Sequence, residues 1–503
     1  MNRRTFIHAA GAAGLSLTSG LRLRAKDAAA GATDPAAAGR AAAMDPAVAS
    51  LLHLLEDSPR ERIPRELVRL IRGKVRYQDL LSALALAAVR NVQPYPDVGY
   101  KYHSVMVLRP VHLATERASP SDKWLPIAWA ADYFKDTQAE ERVTDGWRMP
   151  SRAPVPVGNA QAARQALIVA LDNWDRDAAD AAIVNYAQMA RPEEVFALLF
   201  PCGARDLRAI GHKAIAVSNA HCLIGLGAQA GPIMRSTVAA LQNSGRDPNP
   251  ATRDLPPDQP WRRNLERLRE IPPSWKAGRN DAGARAELRA ALYQASEDES
   301  GTVVVALLRR GISPQAIWQV LFNTAAEVLM YQPGTVPLHA QTTANALYYA
   351  YRVCAEERVQ QLTLLQCAAF VAMFCKLVNA TPTDINLEAL QPLPLDHKGA
   401  DAIDEIFAAV SAGRRREAAR KSLSYLQAGG DAEALIAKAR HHLVYSVEEP
   451  HDYKFSEAVF DNYEQLADPD WRHRYLCAGI ACSRAPAKQP GPVIEQVLEG
   501  LKS

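Results

Sequence analysis

The chain lacks the short motifs by which many enzymes are recognised from sequence. Its 503 residues contain no G-x-G-x-x-G, no P-loop, no G-x-S-x-G and no H-E-x-x-H. The sequence therefore gives no support for a dinucleotide-binding fold, a phosphate-cradling loop, a serine hydrolase elbow or a zincin-type metalloprotease. The chemistry of this protein has to be sought in residues that are far apart along the chain.

Cysteine is scarce and unpatterned. The seven cysteines form no C-x-x-C pair and have no zinc-ribbon spacing. Most of them lie inside apolar helical segments, which is typical of buried free thiols that pack as small hydrophobic groups. We therefore expect neither a disulfide framework nor a thiolate metal site.

The chain also lacks a large excess of positive or of negative charge. Lysine and arginine number 58 against 55 acidic residues, which leaves a net charge of +3 and gives no electrostatic case for binding nucleic acid. No apolar run reaches the roughly 18 residues that cross a bilayer, so we predict no transmembrane anchor in the mature chain.

Helix-forming residues dominate what is present. Alanine and leucine are abundant, hydrophobic residues make up 48% of the chain, and β-branched residues rarely occur in alternating runs. This composition predicts an all-α protein with a sizeable core.

The N-terminus resembles a twin-arginine export signal. Arg3 and Arg4 precede Phe6, and a weakly apolar stretch rich in alanine, glycine and leucine follows from Ala9 to about Leu21. We expect residues 1–43 to be signal and linker, recognised by the twin-arginine translocation machinery, and the mature protein to be periplasmic or secreted. This pathway carries folded proteins, often with a cofactor already bound, so it favours a cofactor here.

Four histidines recur at equivalent places. His103, His212, His339 and His451 are separated by 109, 127 and 112 residues, and each follows a pair of apolar segments of helical periodicity and opens another. We interpret this as a four-fold repeat of units with about four helices each, packed as one large array or toroid. The main alternative is a plain helical array in which the histidines coincide by chance.

Two halves are predicted from the composition of the connecting segments. The region Asn243–Arg262 is rich in Pro, Asp, Asn and Arg and separates the second and third units. We place the N-terminal half at 44–262 and the C-terminal half at 263–503. Val143–Val157 is a second long loop.

If the units pack around one axis, the four histidines would form a metal site. Neutral imidazole suits iron, copper, nickel and zinc, whereas structural zinc usually recruits thiolates, which are missing at the repeat position. We favour redox iron with an open coordination position over copper or zinc.

Neighbouring residues supply candidates for substrate contacts. Arg208 lies one turn before His212, Tyr349 lies on the helix of His339, and Lys454 follows His451. We expect these three to act on a small-molecule substrate. His112 and His221 each lie nine residues after their unit's histidine and would face away from it, so we interpret them as structural.

Two histidine-centred patches resemble the questin oxidase-like family. They are Leu338-His-Ala-Gln-Thr-Thr-Ala-Asn-Ala-Leu347 and Pro450-His-Asp-Tyr-Lys-Phe-Ser-Glu-Ala458, so His339 and His451 are the matched positions. The resemblance implies an oxidoreductase, since family members insert oxygen into aromatic ring systems. That activity draws on NADPH, which an exported protein would not meet, so the reductant would differ here.

Three functions follow from these patterns. The first is a metal-dependent oxidoreductase that acts on a small organic substrate, an aromatic compound being one candidate. The second is a non-catalytic helical scaffold in which the histidines only pack. The third is a hydrolase that holds zinc in the same site. The sequence favours the first.

Overall fold

The computed structural model describes residues 44–144, 146–242, 249 and 255–502. Within these ranges the regular secondary structure is helical, apart from one isolated bridge between Arg279 and Ile312. The all-α prediction is therefore confirmed. The predicted export signal and linker at 1–43 lie outside the described residues, as does most of the predicted loop between the halves.

The helices fall into four groups, each of which contains one of the four histidines in its fourth helix. In the first group that fourth helix is nearly continuous, being interrupted only at Val107. The first group comprises Pro46–Asp57, Ile63–Arg72, Tyr77–Asn91, His103–Met106 with Leu108–Glu116, and Leu125–Thr144. The second comprises Ala160–Asn173, Arg176–Met189, Pro192–Arg205, His212–Gly225 and Ala230–Leu241.

The third and fourth groups follow the same order. The third comprises Ala282–Gln294, Glu297–Arg309, Pro314–Tyr331, Thr335–Val353 and Glu357–Leu377. The fourth comprises Gly399–Ser411, Arg415–Gln427, Ala432–Ser446, Pro450–Gln465 and Pro469–Ala481. Each group thus has five helices rather than about four. Two further helices, Gln259–Arg267 and Pro492–Lys502, stand outside the groups.

Local sequence explains where many helices begin. Ser313 accepts a hydrogen bond from the backbone N–H of Ala316 and caps the helix that begins at Pro314. Pro192 begins its helix, where a missing N–H costs nothing. Ser296 and Glu299 form a reciprocal capping box. These caps satisfy backbone donors that the helix itself leaves unpaired.

The four histidine-bearing helices contact one another in chain order. The helix from His212 packs on Thr335–Val353, which packs on Pro450–Gln465. The last of these packs on Leu108–Glu116, which returns to the helix from His212. The other helices surround this inner set, and one continuous hydrophobic core extends through all four groups. This core contains residues from both sides of residue 262, the predicted boundary between the halves. Residue 262 itself lies within the helix Gln259–Arg267.

One described helix is long and apolar enough to cross a membrane. It is Glu357–Leu377, and 83% of its most apolar window is buried inside the protein. In this fold it serves as a core helix, packed against neighbours from its own group and from the second group.

Candidate metal centre

The four predicted histidines meet at one point. Their ligand atoms all lie within 4.8 Å of one another, and all four residues are buried. The Nε2 atoms of His103 and His451 are 3.0 Å apart, and those of His212 and His339 are also 3.0 Å apart. Ligand nitrogens on one transition metal, at bonds of about 2.0–2.1 Å, lie roughly 3–4 Å from each other, so the spacing fits one ion.

The four imidazole rings form a closed cycle in chain order. Neighbouring ring centroids are 5.0 Å apart for His103 and His212, 4.6 Å for His212 and His339, 4.9 Å for His339 and His451, and 4.5 Å for His451 and His103. All four contacts are edge-to-face, so the rings are inclined around a shared centre. The four histidines are far apart in sequence. They meet here because the helices that carry them contact one another in a closed cycle.

Every histidine has an acceptor at its outer nitrogen. The Nδ1 atom of His103 lies 2.9 Å from the carbonyl oxygen of Tyr100, that of His212 lies 3.0 Å from Ala209, and that of His339 lies 2.6 Å from Thr335. These carbonyls are accessible because they belong to the residues just before or at the helix start. The Nδ1 atom of His451 lies 3.2 Å from a carboxylate oxygen of Glu449.

These acceptors fix the tautomer of each ring. A carbonyl or carboxylate oxygen cannot donate, so each Nδ1 carries the proton and each Nε2 is left with a lone pair. A hydrogen bond between two Nε2 atoms would require a proton on one of them. That neutral ring would then have no proton on Nδ1, and the Nδ1 lone pair would face the lone pair of its oxygen acceptor. The arrangement therefore presents four lone pairs to one centre, as in metal sites whose histidines are oriented by outer partners.

Burial keeps these rings neutral. It lowers the pKa of His103, His212 and His339 well below the ordinary histidine value, and the nearby ammonium of Lys454 lowers all three further. The neighbouring imidazoles act in the same direction. Neutral imidazole is the form that binds metal ions, so the pocket maintains its ligands in the competent state.

Two glycines allow close packing around His212. Gly211, just before the histidine, has φ of +74°, and a Cβ there would lie 1.5 Å from Oγ1 of Thr343. At Gly99 a Cβ would lie 2.7 Å from both Cε1 and Nδ1 of His212. The backbone at residue 99 thus touches the imidazole and holds it in place.

A small polar cavity, called the axial cavity below, lies further along the four helices that carry the histidines. It is lined from all four histidine helices, at positions three to ten residues after each histidine, and offers about 20 Å³ to the centres of water molecules. Lys454 lines it, is only 2% exposed, and its Nζ has no hydrogen-bond partner among the described residues. Burial lowers the pKa of Lys454 to about 7.

The other two predicted substrate contacts have partners elsewhere. The guanidinium of Arg208 lies 3.0 Å from Asp206 and 3.5 Å from Asp258, in an ion-pair network that also includes Lys213. Tyr349 places its hydroxyl 2.8 Å from Nδ1 of His221, with Arg109 over its ring. Of the three predicted residues, the structure places Lys454 in the cavity lining.

His112 and His221 stand apart from the cluster. His112 stacks on Tyr77, and His221 packs among Phe196, Phe200 and Tyr349. Within the described ranges the only grouping of histidine, cysteine, aspartate or glutamate that could hold a metal is the four-histidine cluster. All seven cysteines are free thiols, as the sequence predicts.

Sequence reasoning missed several residues around the site. Glu449, the acceptor for His451, carries no signal beyond its place two residues before that histidine. Arg109, Ser218, Asn345 and Glu457 line the cavity, and each lies six residues after its histidine. A search at matching helical offsets from each histidine would have found this layer.

Comparison with known proteins finds no relative from which a function could be carried over. No protein-family model, no curated protein and no solved structure matches the chain significantly. Nothing in these comparisons bears on the resemblance to the questin oxidase-like family. The geometry of the site therefore has to carry the functional argument.

Proposed function

We propose that the protein is a metal-dependent oxidoreductase that binds one transition-metal ion between the Nε2 atoms of His103, His212, His339 and His451. The observation that carries this proposal is the set of four outer acceptors, which leaves four lone pairs converging in a buried place. Four lone pairs at this spacing repel one another unless a cation lies between them.

The four imidazole donors limit the choice of metal ion that the site would bind. Four imidazoles suit iron, copper, nickel and zinc, whereas magnesium and calcium require oxygen ligands. No thiolate lies in the cluster, which disfavours a purely structural zinc ion. We propose iron first and copper second, because the proposed function requires a metal that changes oxidation state and zinc does not.

The surroundings of the site support redox chemistry. Burial favours the neutral form of His103, His212 and His339, the ammonium of Lys454 adds a positive charge nearby, and the cluster lies at the positive ends of three helices. Among the described residues, the carboxylate of Glu449 contacts one of the four imidazoles in return. Such an environment favours the metal state of lower charge, so a bound redox metal would have a raised reduction potential and would act as an oxidant.

The size of the cavity limits what reaches the site. A volume of about 20 Å³ for water centres holds about one water molecule. An aromatic ring does not fit this space, so we propose a substrate smaller than the aromatic compound suggested by the sequence. An organic electron donor would react from outside the histidine layer.

We also propose that the four helix groups are copies of one unit arranged around a common axis. Each group has five helices with the histidine in the fourth, and the histidine helices contact one another in chain order. From the N-terminal resemblance we propose export of the folded, metal-loaded protein by the twin-arginine pathway.

The proposal is tested by a redox titration of the metal-loaded protein. We expect the bound metal to change oxidation state reversibly, followed by its absorption or electron paramagnetic resonance spectrum. Variants lacking any one of the four imidazoles should lose that signal. A stoichiometric zinc ion without redox activity would contradict the oxidoreductase and would favour hydrolysis at the same site.

A further inference from the structure

The axial cavity has the properties of a second binding site. We propose that it binds a monoanion of one or two heavy atoms, such as a halide or an oxygen-derived anion, through the ammonium of Lys454 and the hydroxyl of Thr342. Both side chains lie three residues after a histidine, on the neighbouring helices Thr335–Val353 and Pro450–Gln465, and both line the cavity and are buried. Neither Nζ of Lys454 nor Oγ1 of Thr342 has a hydrogen-bond partner among the residues that the structure describes.

An unpartnered buried ammonium requires an explanation, because its burial costs several kcal/mol in the absence of a counter-charge. Lys213 shows how this chain ordinarily treats such a group. Lys213 is equally buried and adjoins His212, but its Nζ lies 2.8 Å from a carboxylate oxygen of Asp206. Lys454 has no such carboxylate within ion-pair distance in the described chain, so its natural partner would come from outside the protein.

The acidic groups in the cavity wall are engaged with other cations. Both carboxylate oxygens of Glu457 face the guanidinium of Arg440, at 2.9 and 3.0 Å. Asp461 lies 3.5 Å from Arg109, and burial raises the pKa of Asp461 well above its ordinary value. Neither acidic side chain forms an ion pair with Lys454, so the protonated ammonium of Lys454 favours an anion over a cation in the cavity.

The other polar groups in the wall direct their donors away from the cavity. Ser218 donates to the carbonyl of Ala346, and Asn219 donates to the carbonyl of Met106. Asn345 donates to the side-chain oxygen of Asn462. Lys454 and Thr342 are the lysine and hydroxyl donors of the wall that have no hydrogen-bond partner among the described residues.

The cavity size sets the class of anion. About 20 Å³ for water centres accommodates one water-sized ligand, which excludes sulfate, phosphate and carboxylates with an organic tail. Lys454 lies one helical turn from His451 and lowers the pKa of three of the ligands, so an anion on its ammonium would lie next to the imidazole layer. With the metal of the proposed function in place, this anion would be its further ligand or its substrate, and that consequence rests on the proposed function.

Bromide is a suitable probe, because it is small and visible by anomalous diffraction. Crystals of the metal-loaded protein soaked in sodium bromide are measured at the absorption edges of bromine and of the metal. We expect a bromide peak beside Nζ of Lys454 in the wild type and its loss in Lys454→Met, with an unchanged metal peak. In solution, bromide should raise the melting temperature of the wild type more than that of the variant.

Loss of one charged hydrogen bond should weaken bromide binding at least about tenfold, and Thr342→Val should weaken it roughly two- to tenfold. Absence of bromide from the wild-type cavity, or equal bromide occupancy in Lys454→Met, would overturn the proposal. A crystal with bromide but without metal would still support the anion site while contradicting the metal centre, so the two failures are distinguishable.

Discussion

The histidine layer and the cavity beyond it are both buried and polar, but their hydrogen-bond partners are arranged in opposite ways. In the histidine layer every outer nitrogen has an acceptor, and the unused groups are lone pairs that converge on one point. In the cavity the unused groups include two donors, the ammonium of Lys454 and the hydroxyl of Thr342, beside one carboxyl oxygen of Asp461. The first layer is thus complementary to a cation and the second to an anion.

This difference shows how to separate a functional polar group from a structural one. A structural polar group inside a protein finds its partner inside the protein, as Lys213 does with Asp206. Groups left unpaired in both layers cost stability, and a ligand that pairs with them would offset this cost. The predictions below alter one layer at a time.

The largest effect is expected from removing one imidazole. Replacing His103, His212, His339 or His451 by alanine should lower metal affinity by more than the roughly 10–100-fold typical of outer-shell changes, because a direct ligand is lost. Metal content after dialysis against a weak chelator measures this. Matched controls are His112→Ala, which removes a buried histidine outside the cluster, and the exposed His53→Ala. Full metal retention in all four variants would contradict the ligand assignment.

The two buried lysines should respond in opposite directions. Lys213→Met breaks a buried ion pair and leaves the Asp206 carboxylate short of one partner, so the free energy of unfolding should fall by about 3–5 kcal/mol. Chemical denaturation of the metal-free proteins measures it. An increase in stability on this substitution would show that the network of Asp206, Arg208 and Lys213 is not structural.

A moderate effect is expected at the outer acceptor of His451. Glu449→Gln keeps a hydrogen-bond acceptor but removes the carboxylate that contacts Nδ1, so metal affinity should fall about 10–100-fold without loss of the fold. Competition with a chromophoric chelator gives the affinity. Glu448→Gln, at the neighbouring exposed glutamate, is the control, and equal effects of the two substitutions would refute a specific role for Glu449.

The smallest effect, and one of opposite sign to Lys213→Met, is expected at Lys454. Lys454→Met removes an unpaired buried ammonium, so the metal-free protein should gain about 1–3 kcal/mol of stability near pH 7. The pKa of Lys454 falls from 10.5 to about 7 on folding, so between these values the unfolded chain binds the extra proton and wild-type stability rises with pH.

The advantage of Lys454→Met should therefore shrink as pH rises from 7 towards 10. Denaturation midpoints of both proteins across this range measure the difference. A constant difference would show that the ammonium of Lys454 does not titrate in this window.

Much of the helical layout could be predicted from hydrophobic periodicity. Tyr77–Asn91 and Pro314–Tyr331 are helices in apolar segments of helical periodicity, and the all-α class is confirmed. The first helix of each group was not predicted, which is why four helices rather than five were expected. His339 also lies one turn inside its helix rather than at the start, because Pro337 falls within a first turn that tolerates it.

The cluster of four histidines could be predicted because a recurring histidine at one place in a helical pattern is visible in sequence. The outer acceptors could not, since three of them are backbone carbonyls whose availability depends on the helix start. The cavity could not be predicted either, because it results from packing four helices that are distant in the chain. Arg208 and Tyr349 were singled out by helical offset alone, and their contacts in the structure are with Asp206 and His221.

Elemental analysis of the untagged protein, purified after native export, tests the central claim most directly. We predict about one iron or copper ion per chain, lost together with the redox signal on replacing His212 or His339. Protein that folds and carries no transition metal, even after incubation with iron, copper and zinc, would contradict the proposed metal centre.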